Sequence, residues 1–205
     1  MLLRMSPNEP MRAGFILAGG KSTRMGADKS FLEFDGQTLL ERALTLTTKV
    51  CDRVTIVGDP GKFANYKADS VIADIFPGCG PLAGIHTALV HTSCELNLML
   101  AVDMPFVSPE LLSFLLAAAA SNAALVTVPR VKDGLQPLCA IYRRDFAGVA
   151  EQALRGGKYK IDAAFHDVLT RVIEDDELAS AGFSARNFFN MNTPQDRLAS
   201  EGRSF

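Results

Sequence analysis

Cations and glycines cluster near the amino terminus in a spacing that suits the binding of phosphate. The segment 14–29 reads GFILAGGKSTRMGADK, and its candidate phosphate contacts are Gly19, Gly20, Lys21, Arg24 and Lys29. Glycine allows positive φ and lets a ligand approach the backbone closely. Successive exposed backbone N–H groups in such a loop form a concave anion site. The chemistry predicted for this segment is the wrapping of a polyphosphate.

A carboxylate follows the most apolar stretch of the chain. Residues 96–102 read LNLMLAV, which predicts a strand buried on both faces, and Asp103 comes directly after it. A carboxylate at such a rim is costly unless it is paired or coordinated. Because Mg²⁺ takes one or two protein carboxylates together with substrate phosphates, Asp103 is a candidate metal ligand. The alternative is a turn cap before Pro105.

The elements that must position these residues alternate between strand and helix. Short apolar runs over 14–17, 70–73 and 96–102 predict strands, and helical patterns separate them. This alternation is typical of a parallel sheet with helices on both faces. Ligands of such sheets bind beyond the carboxyl ends of the strands. We therefore expect residues 17–20, Asp74 and Asp103 to meet at one edge of an α/β, three-layer, Rossmann-like and mostly parallel sheet.

Residues typical of helix starts, together with further apolar patterns along the chain, complete the secondary-structure prediction. Pro81 suits the first turn of a helix that runs to about His91, and Ser108 with Pro109 suits the start of another. Helices are predicted over 38–47, 81–91, 108–120, 144–154 and 160–168, with a closing helix from Pro194. Further strands are predicted over 53–57, 124–128, 136–142, 170–173 and 188–190.

Composition excludes several classes of protein. With 205 residues, we expect a flexible extension over 1–12 and one domain over 13–205. A net charge of -2 argues against a general nucleic-acid binder. No apolar run reaches membrane-spanning length or resembles a signal peptide. The 4 cysteines show no Cys-x-x-Cys spacing and predict reduced thiols, so we expect a cytoplasmic protein without nucleic-acid or membrane partners.

The segment 17–29, LAGGKSTRMGADK, resembles the signature loop of nucleotidyltransferases that move a nucleoside monophosphate from an NTP to a phosphorylated acceptor. Within that group it is most similar to the molybdenum cofactor guanylyltransferases. Sugar-phosphate members usually carry Ala at the position of Gly19 and Pro at that of Asp28, so both residues favour this branch. The resemblance continues through GPLAG at 80–84, VDMP at 102–105 and NMNTP at 190–194.

The resemblance implies an activity, a cofactor and partners. The activity is transfer of GMP from GTP to the phosphate of a molybdopterin-type cofactor, with release of pyrophosphate. Mg²⁺ is the implied cofactor, and cofactor-insertion proteins and client molybdoenzymes are the implied protein partners. Two alternatives keep the chemistry: cytidylyl transfer from CTP to the same acceptor, or nucleotidyl transfer to a sugar or other phosphate. An alternative of another class is a non-catalytic nucleotide- or cofactor-binding carrier.

The resemblance also assigns residues to roles, on a nucleotide-diphospho-sugar transferase-like fold. It implies that Arg24 contacts the leaving pyrophosphate, that Lys29 contacts the α-phosphate region, and that Asp103 holds Mg²⁺; the two cations are interchangeable in this assignment. Asn192, with Asn190 beside it, is a further metal contact, or else part of a turn before a helix. The implied nucleotide-binding residues are Leu17, Ala18, Gly19, Gly20, Lys29, Asp74, Pro81, Leu82, Gly84 and Asp103.

Base choice is expected to depend on Gly19. A glycine leaves room and a backbone edge for the exocyclic amino group of guanine, which uracil and cytosine lack in that place. Asp74 is expected to contact the base or the ribose, or else to cap its own loop. Residues 81–84 would wall the base site at a helix amino terminus, whose dipole favours anions. An acceptor-phosphate contact or a solvated basic face is predicted for Arg155, Lys158 and Lys160.

Overall fold

The computed structural model describes residues 11–19, 29–132, 134–166, 168–191 and 196. The strands are β1 (Arg12–Leu17), β2 (Glu33–Phe34), β3 (Gln37–Thr38), β4 (Arg53–Val57), β5 (Ser70–Ile72), β6 (Leu96–Ala101), β7 (Val126–Val131), β8 (Gly134–Leu135), β9 (Cys139–Arg143) and β10 (Thr170–Ile173). The helices are α1 (Leu39–Thr47), α2 (Pro60–Phe63), α3 (Pro81–His91), α4 (Pro109–Ala120), α5 (Phe146–Arg155) and α6 (Asp175–Ser180). Short 3₁₀ turns lie at Lys29–Phe31, Asp162–Phe165 and Ala185–Phe188.

The central sheet has the strand order β10-β7-β9-β6-β1-β4-β5, with β8 paired to β7. Strand β1 runs parallel to both β4 and β6, β4 runs parallel to β5, and β10 runs parallel to β7. Strand β9 is antiparallel to both β6 and β7. The predicted mostly parallel sheet is confirmed, with β9 as the reversed strand that joins its two halves.

Helices cover both faces of this sheet, as predicted. The side chains of β1 alternate between two cores: Ile16 packs into the core that contains α1 and α4, and Phe15 into the core that contains α3 and α5. Every residue of β6 is buried, as its mostly apolar sequence indicates. Asn97, its one polar residue, donates to the carbonyls of Cys94 and Tyr142. The predicted three-layer α/β architecture is therefore confirmed. In the part of the chain that the structure describes, no helix combines the length and apolar character needed to traverse a bilayer.

Local sequence signals set the starts of the helices. Thr38 and Glu41 form a capping box at the start of α1, in which the Thr38 Oγ1 accepts from the Glu41 N–H at 3.2 Å. The Ser108 hydroxyl accepts from the Leu111 N–H at the start of α4, and Pro109 is the first helical residue. Pro81 opens α3 in the same position. The predicted starts of these three helices are confirmed.

Two late predictions are wrong. The described residues of 160–168, all but 167, form a 3₁₀ turn at Asp162–Phe165 and not an α-helix. Ile161 and Phe165 are both buried there, and Phe165 packs against the rings of Tyr142 and Phe146. No strand forms over 188–190, because Phe188 ends a 3₁₀ turn and the Phe189 N–H donates back to the Arg186 carbonyl at 3.2 Å. The closing helix predicted from Pro194 lies outside the described residues, apart from residue 196.

Several strand boundaries also differ from the prediction. Strand β1 begins at Arg12, two positions before the predicted start at residue 14. The strand predicted over 124–128 begins at Val126 and continues to Val131, where it turns into a hairpin with β8. This hairpin uses the residues before the predicted 136–142 strand, so β9 begins only at Cys139.

Gly14 in β1 is a position where only glycine fits. A Cβ at Gly14 would lie 2.1 Å from Cγ2 of Thr47 on α1 and 3.1 Å from Sγ of Cys51. Because Thr47 is fully buried and a threonine in a helix has only two favoured χ1 rotamers, this contact cannot relax cheaply. We expect Gly14→Ala to lower the free energy of unfolding by about 1–3 kcal/mol, measured by urea denaturation.

The matched control is Gly148→Ala on α5, where a Cβ would have no neighbour within 4 Å. There the same change is expected to raise the free energy of unfolding by roughly 0.5–1 kcal/mol, because alanine favours the helix. Adding Thr47→Ser to Gly14→Ala removes the clashing methyl group and is expected to restore part of the lost stability. Equal stability of Gly14→Ala and wild type would contradict the close packing of α1 on β1.

Candidate active site at the carboxyl ends of the central strands

The end of β1 lies between the ends of its two parallel neighbours. Leu17 is in register with Val57 of β4 on one side and with Ala101 of β6 on the other. The Ala18 N–H donates to the Val57 carbonyl at 3.0 Å, and the Val102 N–H donates to the Leu17 carbonyl at 3.4 Å. The loops that follow β1 and β6 therefore begin side by side. This confirms the prediction that the end of β1 and the segment carrying Asp103 meet at one edge of the sheet.

The chain returns to the same edge at the 3₁₀ turn Lys29–Phe31. Nζ of Lys29 lies 2.9 Å from Oδ2 of Asp103, across 74 positions of sequence. Neither side chain is fully buried: 30% of Lys29 and 17% of Asp103 are exposed. A cation and a carboxylate from the two predicted phosphate-binding segments therefore meet directly, within reach of a ligand.

Part of the predicted glycine loop lies outside the described residues. Gly20, Lys21 and Arg24 belong to that part, and their roles stay predictions. Gly19 is described, and it is not among the glycines with positive φ. Positive φ was one of two expected reasons for glycine in this loop, and it does not apply at Gly19; the other, close approach of a ligand to the backbone, stays a prediction. Positive φ occurs instead at Gly78 and Gly80, with values of 81° and 78°, in the loop that leads into α3.

Three long-range hydrogen bonds fix the backbone that follows β6. The Met191 N–H donates to the Asp103 carbonyl at 2.8 Å. Nε of Arg42 on α1 donates to the Pro105 carbonyl at 2.6 Å, and Nδ2 of Asn187 donates to the Phe106 carbonyl at 3.1 Å. These donors hold the loop that presents the Asp103 carboxylate. Sequence reasoning missed Arg42 and Asn187, because nothing in their local sequence points to a partner more than 60 positions away.

A second part of the site surrounds Asp74, two residues after β5. A Cβ at Gly19 would lie 3.7 Å from Oδ2 of Asp74, and one at Gly84 would lie 3.7 Å from Oδ1. The Gly84 position also faces Cδ2 of Leu17 at 3.4 Å. Four predicted nucleotide-binding residues, Leu17, Gly19, Asp74 and Gly84, are therefore neighbours. A Cβ at either glycine would make only ordinary contacts; Gly19 is exposed beside the carboxylate, whereas Gly84 is buried on α3.

Burial shifts the pKa of the Asp74 carboxyl group. Partial removal from water raises the pKa of Asp74, and a hydrogen bond from the Thr87 hydroxyl lowers it by a smaller amount. The same hydroxyl accepts from the Ile75 N–H at 3.0 Å. The sequence analysis did not identify Thr87 as a residue of the candidate site. The available signal was its position on α3, three residues after Gly84 and therefore on the same helical face.

The other predicted contacts are less closely connected with this site. Arg155 pairs with Glu151 of its own helix at 2.7 Å, and its guanidinium lies over the ring of Phe76, 5.8 Å from the centroid. Lys158 and Lys160 are exposed. Pro81 is exposed and Leu82 is fully buried, so the Leu82 side chain has no surface open to a ligand. Asn192 lies outside the described residues.

The donor chemistry at Asp103 fits magnesium. Among the described residues, no three His, Cys, Asp or Glu side chains come together as a metal cage. Mg²⁺ does not require one, since it binds through one or two carboxylates and completes its shell with water and substrate phosphates. A partly exposed carboxylate such as Asp103 suits this mode.

Known proteins are similar to this chain in sequence and in architecture. Residues 14–170 match the family described as the MobA-like NTP transferase domain. A probable molybdenum cofactor guanylyltransferase from Pelotomaculum thermopropionicum is 34% identical over 183 residues, which cover 89% of this chain and 88% of that protein. The molybdenum cofactor guanylyltransferase of Desulfosudis oleivorans is 32% identical over 185 residues, covering 89% and 91% respectively.

A solved structure agrees with this relationship. The crystal structure of molybdopterin-guanine dinucleotide biosynthesis protein A from Archaeoglobus fulgidus superposes with a TM-score of 0.80 at 29% identity, covering 93% of this chain and 97% of that one. Together with the match over residues 14–170, the sequence relatives extend the similarity along most of the chain. The chain therefore belongs to the MobA-like NTP transferase family, as its glycine loop predicts.

Proposed function

We propose that this protein transfers GMP from GTP to the phosphate of a molybdopterin-type cofactor and releases pyrophosphate. The observation that carries the proposal is that two groups of candidate residues, here called half-sites, lie on either side of Leu17. The Lys29–Asp103 pair lies on the β6 side, and Asp74, Gly19 and Gly84 lie on the other. The relatives named for this activity support the choice of acceptor.

The two half-sites suit the two ends of a nucleotide. The exposed backbone of Gly19 beside the Asp74 carboxylate is the proposed base site. Lys29 and Asp103 form the proposed phosphate site. Lys29 supplies a compact positive charge for the phosphate oxygens. Arg24, outside the described residues, is proposed to contact the pyrophosphate with its planar guanidinium.

The reaction is a displacement at the α-phosphorus. An oxygen of the acceptor phosphate forms the new bond to this phosphorus, and the bond to the bridging oxygen of pyrophosphate breaks. Phosphoryl transfer needs positioning and neutralisation of charge more than covalent help from the protein. Lys29 stabilises negative charge on the phosphate oxygens, and Asp103 holds the metal. Mg²⁺ bound there would supply Lewis-acid stabilisation of the phosphates.

The proposal is tested by incubating the purified protein with each of the four ribonucleoside triphosphates and Mg²⁺, with and without molybdopterin. We expect pyrophosphate release only with GTP and the acceptor, together with formation of the guanine dinucleotide. Equal or faster turnover of CTP would identify a cytidylyltransferase. Binding of GTP without any pyrophosphate release would identify a carrier. Either result would overturn the proposed activity.

Gly19 provides a sharper test of base choice. A Cβ at this position would make only ordinary contacts, at 3.7 Å from Asp74 Oδ2 and 3.8 Å from the Val57 carbonyl oxygen, so Gly19→Ala is expected to fold normally. The added methyl group occupies space proposed for the guanine amino group. We expect kcat/KM for GTP to fall by roughly 10–100-fold while the value for CTP changes by less than about threefold.

Gly148→Ala, which makes the same chemical change on the exposed side of α5, is the control and should leave both nucleotides unaffected. The measurement is the ratio of kcat/KM for GTP to that for CTP in the three proteins. If Gly19→Ala keeps the wild-type ratio, Gly19 does not select the base.

A further inference from the structure

The hydroxyl of Thr87 has a defined direction of hydrogen bonding. Thr87 lies on α3 and is fully buried. Its oxygen accepts from the Ile75 N–H at 3.0 Å, and the only proton of the hydroxyl points to Oδ1 of Asp74 at 3.4 Å. This second distance is long for an O–H···O bond.

This bond orients the Asp74 carboxylate. With Oδ1 facing Thr87, the other oxygen, Oδ2, faces Gly19, where a Cβ would lie 3.7 Å away. The hydrogen bond from the Ile75 N–H fixes the backbone immediately after Asp74. One hydroxyl therefore holds both the Asp74 side chain and the adjacent backbone. Thr87 itself lies behind the carboxylate and has no exposed surface with which to contact a nucleotide.

We propose that Thr87 is a positioning residue that turns the Asp74 carboxylate toward a base with two adjacent hydrogen-bond donors. This inference rests on the proposed function. Guanine presents its N1–H and its exocyclic amino group side by side, whereas cytosine presents one amino donor beside an acceptor nitrogen. Because each carboxylate oxygen has two lone-pair sites, Oδ1 can accept from Thr87 and from one base donor while Oδ2 accepts from the other. An ionised carboxylate oriented in this way accepts both donors of guanine and opposes the acceptor of cytosine. Thr87 therefore contributes to GTP selection without touching GTP.

The ionisation of Asp74 adds a second effect of the same hydroxyl. Burial raises the pKa of Asp74, and the bond from Thr87 opposes this rise because it stabilises the charged form. GTP affinity should increase as the pH rises through the pKa of Asp74, since only the carboxylate accepts both donors. Loss of the Thr87 bond should move the midpoint of this increase to higher pH.

The experiment compares Thr87→Val, Thr87→Ser and Thr47→Val. Valine keeps the shape of threonine and removes the hydroxyl, and serine keeps the hydroxyl. Thr47 is an equally buried threonine on α1 whose hydroxyl has no hydrogen-bond partner within the described residues, so Thr47→Val controls for burial of the new methyl group. The measurements are Kd for GTP, ITP and CTP by calorimetry with Mg²⁺, and kcat and KM for transfer across pH.

We expect Thr87→Val to raise Kd and KM for GTP by about tenfold, the usual effect of losing one hydrogen bond to a charged group. The change in kcat should stay within about threefold, because no phosphate contact is altered. The effect should be smaller for ITP, which lacks the amino group, and absent for CTP. Thr87→Ser and Thr47→Val should bind GTP as wild type does. In an Asp74→Asn background, Thr87→Val should add no further loss.

The outcomes separate this inference from the proposed function. A wild-type protein that prefers another nucleotide overturns the proposed function. A wild-type protein that prefers GTP, with Thr87→Val unchanged in Kd and in its pH midpoint, overturns only the role of Thr87. Equal losses for GTP, ITP and CTP in Thr87→Val, or the same losses in Thr47→Val, would show a general packing effect and would also overturn it.

Discussion

Replacing Asp103 by asparagine is expected to lower kcat for GMP transfer by roughly 10³-fold or more, the loss expected when metal stabilisation of the reacting phosphates is removed. Asparagine keeps the size of the side chain and an oxygen, but it removes the negative charge that attracts Mg²⁺. The Asp103 carbonyl still accepts from Met191, so the loop after β6 should keep its position. The measurement is the single-turnover rate of pyrophosphate release at saturating GTP and acceptor, repeated over a range of Mg²⁺ concentrations.

The matched control is Glu95→Gln, at the other end of the same strand. Glu95 precedes β6 and pairs with Arg143, whereas Asp103 follows the strand and pairs with Lys29. Glu95→Gln makes the equivalent loss of charge and of one ion pair, and its kcat should equal that of wild type. If Asp103→Asn also retains its rate and its Mg²⁺ requirement, Asp103 does not hold the metal.

Replacing Lys29 by methionine is expected to lower kcat/KM by roughly 10²–10³-fold, the range seen when one preorganised charge or donor at a reacting oxygen is lost. Methionine keeps the unbranched stem and removes the ammonium group. We expect most of the loss in kcat, because the charge on the phosphates grows during the reaction. The measurement is steady-state kinetics with GTP and acceptor each varied in turn.

The two substitutions are expected to differ in their response to Mg²⁺. Lys29→Met removes the cation that pairs with Asp103 at 2.9 Å, so the carboxylate should bind Mg²⁺ at least as well as in wild type. Asp103→Asn should raise the Mg²⁺ concentration that gives half of the maximal rate of pyrophosphate release. Lys49→Met, in the exposed turn between α1 and the start of β4, is the control for loss of a lysine and should be silent. A silent Lys29→Met would remove Lys29 from the phosphate site.

Sequence reasoning predicted the parts of the site that depend on local patterns. The apolar run before Asp103 requires a buried strand, and parallel strands place their carboxyl ends together, so the meeting of Leu17 and Asp103 could be anticipated. Thr38, Pro81 and Ser108 mark helix starts because their capping and φ preferences act within a few residues. Family resemblance then connected these positions with a nucleotide.

Other parts of the fold depend on packing that no local pattern encodes. Strand β9 runs antiparallel between β6 and β7 because the hairpin through β8 reverses the chain there. Residues 160–168 look helical by composition, but the burial of Phe165 beside Tyr142 and Phe146 leaves only a 3₁₀ turn. The short helix α6 was missed because it buries a single side chain, that of Leu178, and has almost no apolar pattern.

The amino-acid sequence by itself predicted the alternation of strand and helix and the edge of the sheet where the candidate site residues meet, because these follow from short-range periodicity and from strand direction. The family was recognised from the resemblance of its motifs. Only the tertiary structure decided which groups touch. The pairing of Lys29 with Asp103, the hold of Arg42 on Pro105 and the contact of Thr87 with Asp74 each join different elements of the fold. Their distances depend on how helices pack on the two faces of the sheet, and that packing is a property of the whole chain.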